Sequence, residues 1–435
     1  MSTARPAEGA RLADVLKGPG YLKTLLLSGL VGIPVSLVAF WFLAGIHELQ
    51  HALWSGLPHS LGWASAPWWW PLPLLLVSGV LVGLIARHMK GAGGHVPVRS
   101  MGAGMSGTST AVLPGVVLAA AASLPFGAVL GPEAPLIALG GGLALLLRDL
   151  LRTEATPQTT TLLAAAGAAA AVAAIFGSPL IAGVLLIELV GVGGVRLFAV
   201  MLPAMLSSGI GALVFTGFGR WTGLQVGKLN AKLPEPFTRL DAPDVIWGLL
   251  IAVAVAVLQH STMAAGRTVA TYVAGRTLVR TTLCALGAGA CAAAYALVTG
   301  RDPQDVASSG ESTLATLTAD PQAWGIGALI AVLLCKAVGY ALCLGSLRGG
   351  PVFPALFLGA AAGLLLSPLP GLGVVPGVAA GLAAATAVVL RMPVSSAVLV
   401  TVLLGNTAVT PLVIMAVVAA MITTELLPGG PRPAE

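Results

Sequence analysis

Two short stretches of this chain place chemically active residues at spacings that chemistry uses. The first is His47-Glu48-Leu49-Gln50-His51. Two histidines one helical turn apart can bind zinc while the glutamate between them activates water. The second is Gly131-Pro132-Glu133-Ala134-Pro135, where a carboxylate follows a Gly-Pro step inside an apolar stretch. Glycine permits a tight non-helical approach and proline is tolerated in a first helical turn. A helix is therefore expected to begin here, with Glu133 in its first turn. The amides of such a start carry partial positive charge. An ionised Glu133 competes with an anion for them, and a protonated one releases them. A titratable group at such depth is a functional hypothesis by default.

Both stretches belong to a chain built for lipid. Of its 435 residues only 9% are charged and 57% are hydrophobic, with 56 Gly and 30 Pro, against about 25% charged in a soluble domain. Crossing about 30 Å of hydrocarbon takes roughly 20 helical residues. About fourteen apolar segments lie between residues 24 and 426, several too short to cross alone. They are continuous and rich in Ala, Leu and Gly, which excludes the alternating strands of a membrane barrel. The expected fold is an all-α polytopic membrane protein with broken, partly spanning helices.

The net charge of +6 reads as topology and not as a nucleic-acid surface, because Arg5, Arg11, Lys17 and Lys23 precede the first apolar segment. That predicts a cytoplasmic N-terminus in a multi-pass protein of the plasma (inner) membrane. The apolar run from Leu25 to about Ile46 is longer than a signal-peptide core. Cys284, Cys291, Cys335 and Cys343 sit in apolar segments without metal-site spacing and read as small core residues. With no phosphate-binding loop visible, neither a nucleotide-driven pump nor a cofactor is expected.

The glutamate motif has a second copy. Gly131-Pro-Glu-Ala-Pro-Leu-Ile-Ala-Leu-Gly140 aligns with Gly350-Pro-Val-Phe-Pro-Ala-Leu-Phe-Leu-Gly359 at an offset of 219. Ser178-Pro-Leu-Ile-Ala-Gly-Val-Leu-Leu aligns with Met392-Pro-Val-Ser-Ser-Ala-Val-Leu-Val at 214, and Gly94-His-Val-Pro97 with Gly310-Glu-Ser-Thr313 at 216. Two repeated halves are expected, 24–218 and 245–426, after a cytoplasmic segment 1–23, around a polar linker 219–244 and before a short tail 427–435. In transport proteins such repeats place the substrate site near the membrane midplane, between half-helix N-termini. Two positive helix ends, one per half, favour an anion there.

These motifs resemble those of the CLC chloride channels and chloride/proton exchangers. Gly131-Pro132-Glu133-Ala134-Pro135 is similar to the family's gating-glutamate motif, with Val112-Leu113-Pro114 at the usual distance upstream. Gly349-Gly350-Pro351-Val352-Phe353-Pro354 with Gly359 resembles the second-half motif, and Phe176-Gly-Ser-Pro179 through Glu188 a helix with a conserved glutamate. The resemblance implies an inverted-repeat fold, normally a homodimer, carrying a small inorganic anion such as chloride or fluoride, with protons as a second partner. It assigns Glu133 to gating or proton transfer, and Gly94, His95, Val96, Pro97, Gly131, Pro132, Ala134, Gly350, Val352 and Phe353 to the anion path. Glu188 stands for a proton role or a structural one.

The departures bear on function. Gly94 replaces a serine donor, and His95 is expected beside the anion path. The two anion-holding amides of the second loop fall on Pro351 and Val352, and Pro351 has no N–H. The helix bearing the family's pore tyrosine has no counterpart after Glu425, so weak chloride binding or another anion is expected. Exchangers carry an inner glutamate at the position of Leu189, which leaves channel and exchanger both open.

The zinc reading remains the alternative. An intramembrane protease would take His47 and His51 as ligands, Glu48 as base and a distal segment loosely matched by Asn230, Pro234, Leu240 and Asp241. That segment lies in the polar linker, and the reading leaves the repeat unexplained. Otherwise His47, Glu48 and His51 close the outer end of the first span. Trp68, Trp69 and Trp70 suit a membrane interface. Lys336, Arg348 and Arg391 either attract anions or bond helix ends.

Overall fold

The computed structural model describes residues 13, 16–18, 20–99, 109–152, 156–190, 194–224, 226, 231, 233 and 237–428. Arg5, Arg11, Lys228, Asn230, Lys232, Pro234, Glu235 and the tail from 429 lie outside the described residues. The described residues form fifteen α-helices of two turns or more, without strands. Eight stretches are long and apolar enough to cross a membrane, and five shorter apolar helices are not. The chain is a multi-pass membrane protein.

The helices are α1 (Tyr21–His51), α2 (Pro71–His88), α3 (Leu113–Ser123), α4 (Glu133–Leu150), α5 (Pro157–Phe176), α6 (Pro179–Val190) and α7 (Gly194–Thr222). They continue as α8 (Ala242–Ala274), α9 (Thr277–Thr299), α10 (Glu311–Ala319), α11 (Ile326–Ser346), α12 (Val352–Leu366), α13 (Val374–Leu390), α14 (Pro393–Leu404) and α15 (Thr410–Leu426). The expected half-helix starts are present, α4 at Glu133 and α12 at Val352. Boundaries follow local chemistry. The Thr156 hydroxyl accepts from the Thr159 amide while the Thr159 hydroxyl accepts from the Thr156 amide, a reciprocal cap that starts α5. Gly177, with φ 66°, ends it.

Two compact units divide the chain, one from 1–42, 102–113 and 136–225, the other from 43–101, 114–135 and 226–435. In the first, α5 packs on α6 and α7 and is buried from Leu162 to Ile175. A helix apolar all round belongs in a protein interior. In the second, α13 is buried from Val375 to Leu390 and packs on α8, α12 and α15.

The same device closes the central helix pair of each unit. Gly140 of α4 meets Gly167 of α5 so closely that a Cβ on either would strike the other's carbonyl. Gly359 of α12 and Gly381 of α13 meet in the same way. These glycines repeat at 219 and 214 residues, the offsets of the sequence motifs that begin and follow each pair. Small residues let membrane helices approach to backbone contact, where packing holds them. Gly381→Ala therefore costs about 1–3 kcal/mol, as overpacking does, and lowers the melting temperature in detergent by several degrees. Gly45→Ala, in open space on α1, leaves it unchanged or slightly raised.

Candidate functional site

The candidate site belongs to the second unit and starts from backbone. Gly131 and Gly350 form an isolated antiparallel bridge. The Gly131 amide donates to the Gly350 carbonyl at 2.7 Å, and the Gly350 amide returns the bond at 2.6 Å. They are the equivalent first glycines of the two copied motifs, so the repeat meets itself at this bridge. It fixes the turn before α4 against the turn before α12.

The consequence is the position of Glu133. Its Oε1 accepts from the amides of Val352 at 2.6 Å and Phe353 at 3.1 Å, the first two residues of α12. The carboxylate is fully buried, and Oε2 has no hydrogen-bond partner. A Cβ on Gly131 or Gly350 would strike it. Both positions must be glycine for the carboxylate to lie there. A helix N-terminus holds an anion by exposed N–H groups and the macrodipole, and here the anion is the protein's own.

Helix α11 holds the irregular backbone around this contact. Lys336, Tyr340 and Cys343, at i, i+4 and i+7, share one helix face. The Lys336 Nζ donates to the carbonyls of Asp305 (3.0 Å), Val306 (3.0 Å) and Ser308 (3.3 Å), ahead of α10. It also lies 4.6 Å from the Phe357 ring centroid. Tyr340 donates its O–H to the Pro351 carbonyl at 2.6 Å, and Cys343 Sγ accepts from the Val129 amide at 3.4 Å. A buried ammonium is costly unless hydrogen-bonded, and three carbonyls plus a ring face supply that. Just past α11, Arg348 donates to the Ala92 carbonyl at 3.1 and 3.3 Å. Lys336 and Arg348 thus bond carbonyls, and Arg391 pairs with Glu425.

A second carboxylate lies nearby. Glu311 opens the nine-residue α10, outside the spanning helices, and its buried Oε1 has no partner. Burial, and after it the charge of Glu133, push its carboxyl up to about 7. A cavity of about 290 Å³ is lined by His47, Gln50, His51, Gln304, Ser309 and Glu311 among others. A smaller one, about 50 Å³, shares His47, Gln50, Ser309 and Glu311 and reaches Pro132, next to Glu133. These four shared residues place the two cavities side by side between the end of α1 and Pro132.

Gly131, Pro132, Glu133, Ala134, Gly350, Val352 and Phe353 come together as a cluster through this bridge and helix start. The 94–97 loop is fixed separately. Gly94, with φ 95°, faces Val116 of α3, Val98 bonds the Leu344 carbonyl, and Val96 is half-buried and Pro97 buried. His95 is exposed. Glu188 and Leu189 lie half-buried on α6 of the other unit. His47, Glu48 and His51 are exposed on α1, and among the described residues no three His, Cys, Asp or Glu side chains form a metal set. Asp241, from the distal segment of the protease reading, precedes α8 and donates its amide to Asp244 Oδ2. Tyr340 and Glu311 are site residues that sequence reasoning missed. Glu311 stands in the second-half counterpart of the Gly94 loop, a usable signal, whereas Tyr340 is unmarked within an apolar run.

The sequence profile of the family described as "Voltage gated chloride channel" matches residues 74–425. Proteins named "Putative ion-transport protein YfeO" from Escherichia coli (strain SMS-3-5 / SECEC) and from Escherichia fergusonii are each 27% identical over 361 residues, 79% of this chain and 80% of theirs. The fold is similar to the crystal structure of a CLC-type fluoride/proton antiporter, with a TM-score of 0.70 and 19% identity over 92% of this chain and 95% of that one. It is also similar to that of a slow cyanobacterial Cl-/H+ antiporter, with a TM-score of 0.78 and 18% identity over 94% and 96%. No support attaches to the protease alternative. The half-helix pair, the copied glycine bridge and a profile match across most of the chain agree: this protein belongs to the voltage-gated chloride channel (CLC) family, a family of channels and transporters and not of enzymes.

Proposed function

We propose that this chain carries a small inorganic anion, chloride first and fluoride or another anion as alternatives, in exchange with protons, and that Glu133 is the gate. The observation behind this is the Glu133 carboxylate seated on the Val352 and Phe353 amides. A carboxylate there marks a place an anion can take once the side chain leaves. Protonation removes its charge and weakens its hold on the amides. Glu133 Oε2 and Glu311 Oε1, both buried and unpaired, favour uptake of a proton at this end of the path. Two neighbouring carboxylates in a low-dielectric site resist being ionised together. That supports proton coupling despite Leu189 at the family's inner relay position.

Further parts of the reading follow family resemblance and charge. The two halves, 24–218 and 245–426, act as the repeats, joined by 219–244. The protein sits in the plasma membrane as a homodimer, its N-terminus cytoplasmic because Lys17 and Lys23 flank the start of α1. The 94–97 loop completes the anion path with Gly131 to Ala134 and with Gly350, Val352 and Phe353. Glu188 serves as the inner proton or structural group.

Anion flux from proteoliposomes with simultaneous proton recording tests this. Chloride or fluoride gradients should drive protons uphill in the wild type. Glu133→Gln should abolish proton movement while anion flux continues. Neither chloride nor fluoride flux in the wild type would refute the reading. Gly350→Ala offers a second test, since its Cβ occupies the carboxylate's place. With that place filled against carboxylate and anion alike, anion flux should fall about tenfold or more at every pH, the worth of one charge-assisted hydrogen bond. Wild-type flux in this variant would place the anion elsewhere.

A further inference from the structure

The peptide unit joining Pro351 to Val352 is bonded at both ends. Its carbonyl accepts the Tyr340 O–H at 2.6 Å. Its N–H donates to Glu133 Oε1, also at 2.6 Å. A trans peptide is planar and points its C=O and N–H in opposite directions. The hydroxyl and the carboxylate therefore grip opposite edges of one rigid plate.

Two physical effects follow. The hydroxyl fixes the tilt of the plate, and so the direction of the Val352 N–H. A donor on the carbonyl also polarises the amide, which strengthens its N–H as a donor, because bonds in a chain reinforce one another. The Gly131–Gly350 bridge holds the residue before Pro351, and Pro351 at the N-cap contributes no side-chain cap bond. Tyr340 reaches it from α11 and is fully buried.

A buried tyrosine hydroxyl needs some acceptor, and any free carbonyl would satisfy that need. This one belongs to the peptide whose other edge holds the gating carboxylate. We propose that Tyr340 is a positioning residue of the anion site, setting the strength of the Val352 N–H for whichever anion sits on it, the Glu133 carboxylate or the transported ion. The proposal rests on the reading that Glu133 leaves this place to an anion.

That reading gives the test a sign. Tyr340→Phe removes the hydroxyl and keeps the ring. With Glu133 in place, a weaker N–H loosens the gate, and chloride flux should rise about two- to fourfold, the effect of a change of about 10–30% in one charge-assisted hydrogen bond. In Glu133→Ala, where chloride has the amides to itself, the same change should lower chloride affinity by a similar factor, read by calorimetry. A merely structural defect would depress both readouts together with the melting temperature. Incorporating 3-fluorotyrosine at position 340, a stronger donor, should move both readouts the opposite way, and it tests the proposal even if Tyr340→Phe fails to fold.

The proposal is overturned if Glu133→Ala opens the pathway yet both Tyr340 replacements leave flux and affinity at their parents' values. It is equally overturned if both readouts fall in step with folding. If Glu133→Ala conducts and binds chloride no differently from the wild type, the gate reading fails, and the proposal with it.

Discussion

The reciprocal pair of backbone hydrogen bonds between Gly131 and Gly350 is the constraint on which the site depends. It joins residues 219 apart in sequence, and everything nearby follows from its closeness. The Glu133 carboxylate fills the space a Cβ would need on either residue, so both positions are glycine. Glu133 lies two residues beyond one strand of the bridge, and the Val352 and Phe353 amides lie two and three beyond the other. The register of the bridge therefore delivers the carboxylate to the amides.

Irregular backbone at membrane depth must be satisfied by protein, and α11 supplies most of what is needed. Lys336, Tyr340 and Cys343 each hold a different non-helical segment, and Arg348 holds a fourth just past the helix end. Three of these four are polar donors buried in an otherwise apolar chain. Their role is positional: Lys336 secures the turn that presents Glu311, and Tyr340 the turn that presents Val352. Two of the chain's few charges, Lys336 and Arg348, thus sit where backbone carbonyls would otherwise go unpaired.

Much of this was legible in the sequence, and the illegible part has a physical pattern. The Gly-Pro steps marked the starts of α4 and α12 because helix starts have local chemistry. The matched offsets revealed the repeat, and they reappear in the Gly140–Gly167 and Gly359–Gly381 contacts. What could not be read were partners set by tertiary approach. Nothing local to Tyr340 says that its hydroxyl meets Pro351, or that Glu133 would bond Val352 and Phe353. Glu311 stands among Ser309, Ser312 and Thr313, and nothing local to it says that its carboxylate comes near that of Glu133. The HELQH stretch is helical as its spacing suggests, and His47, Gln50 and His51 line a cavity that Glu311 also lines.

The central claim is that the Glu133 carboxylate occupies an anion's place on the first amides of α12. Anomalous diffraction from crystals of Glu133→Ala grown in bromide tests it most directly. The account predicts a bromide peak within hydrogen-bond reach of the Val352 and Phe353 amides. Crystals with those amides free of bromide, or with bromide only elsewhere along the chain, would contradict it.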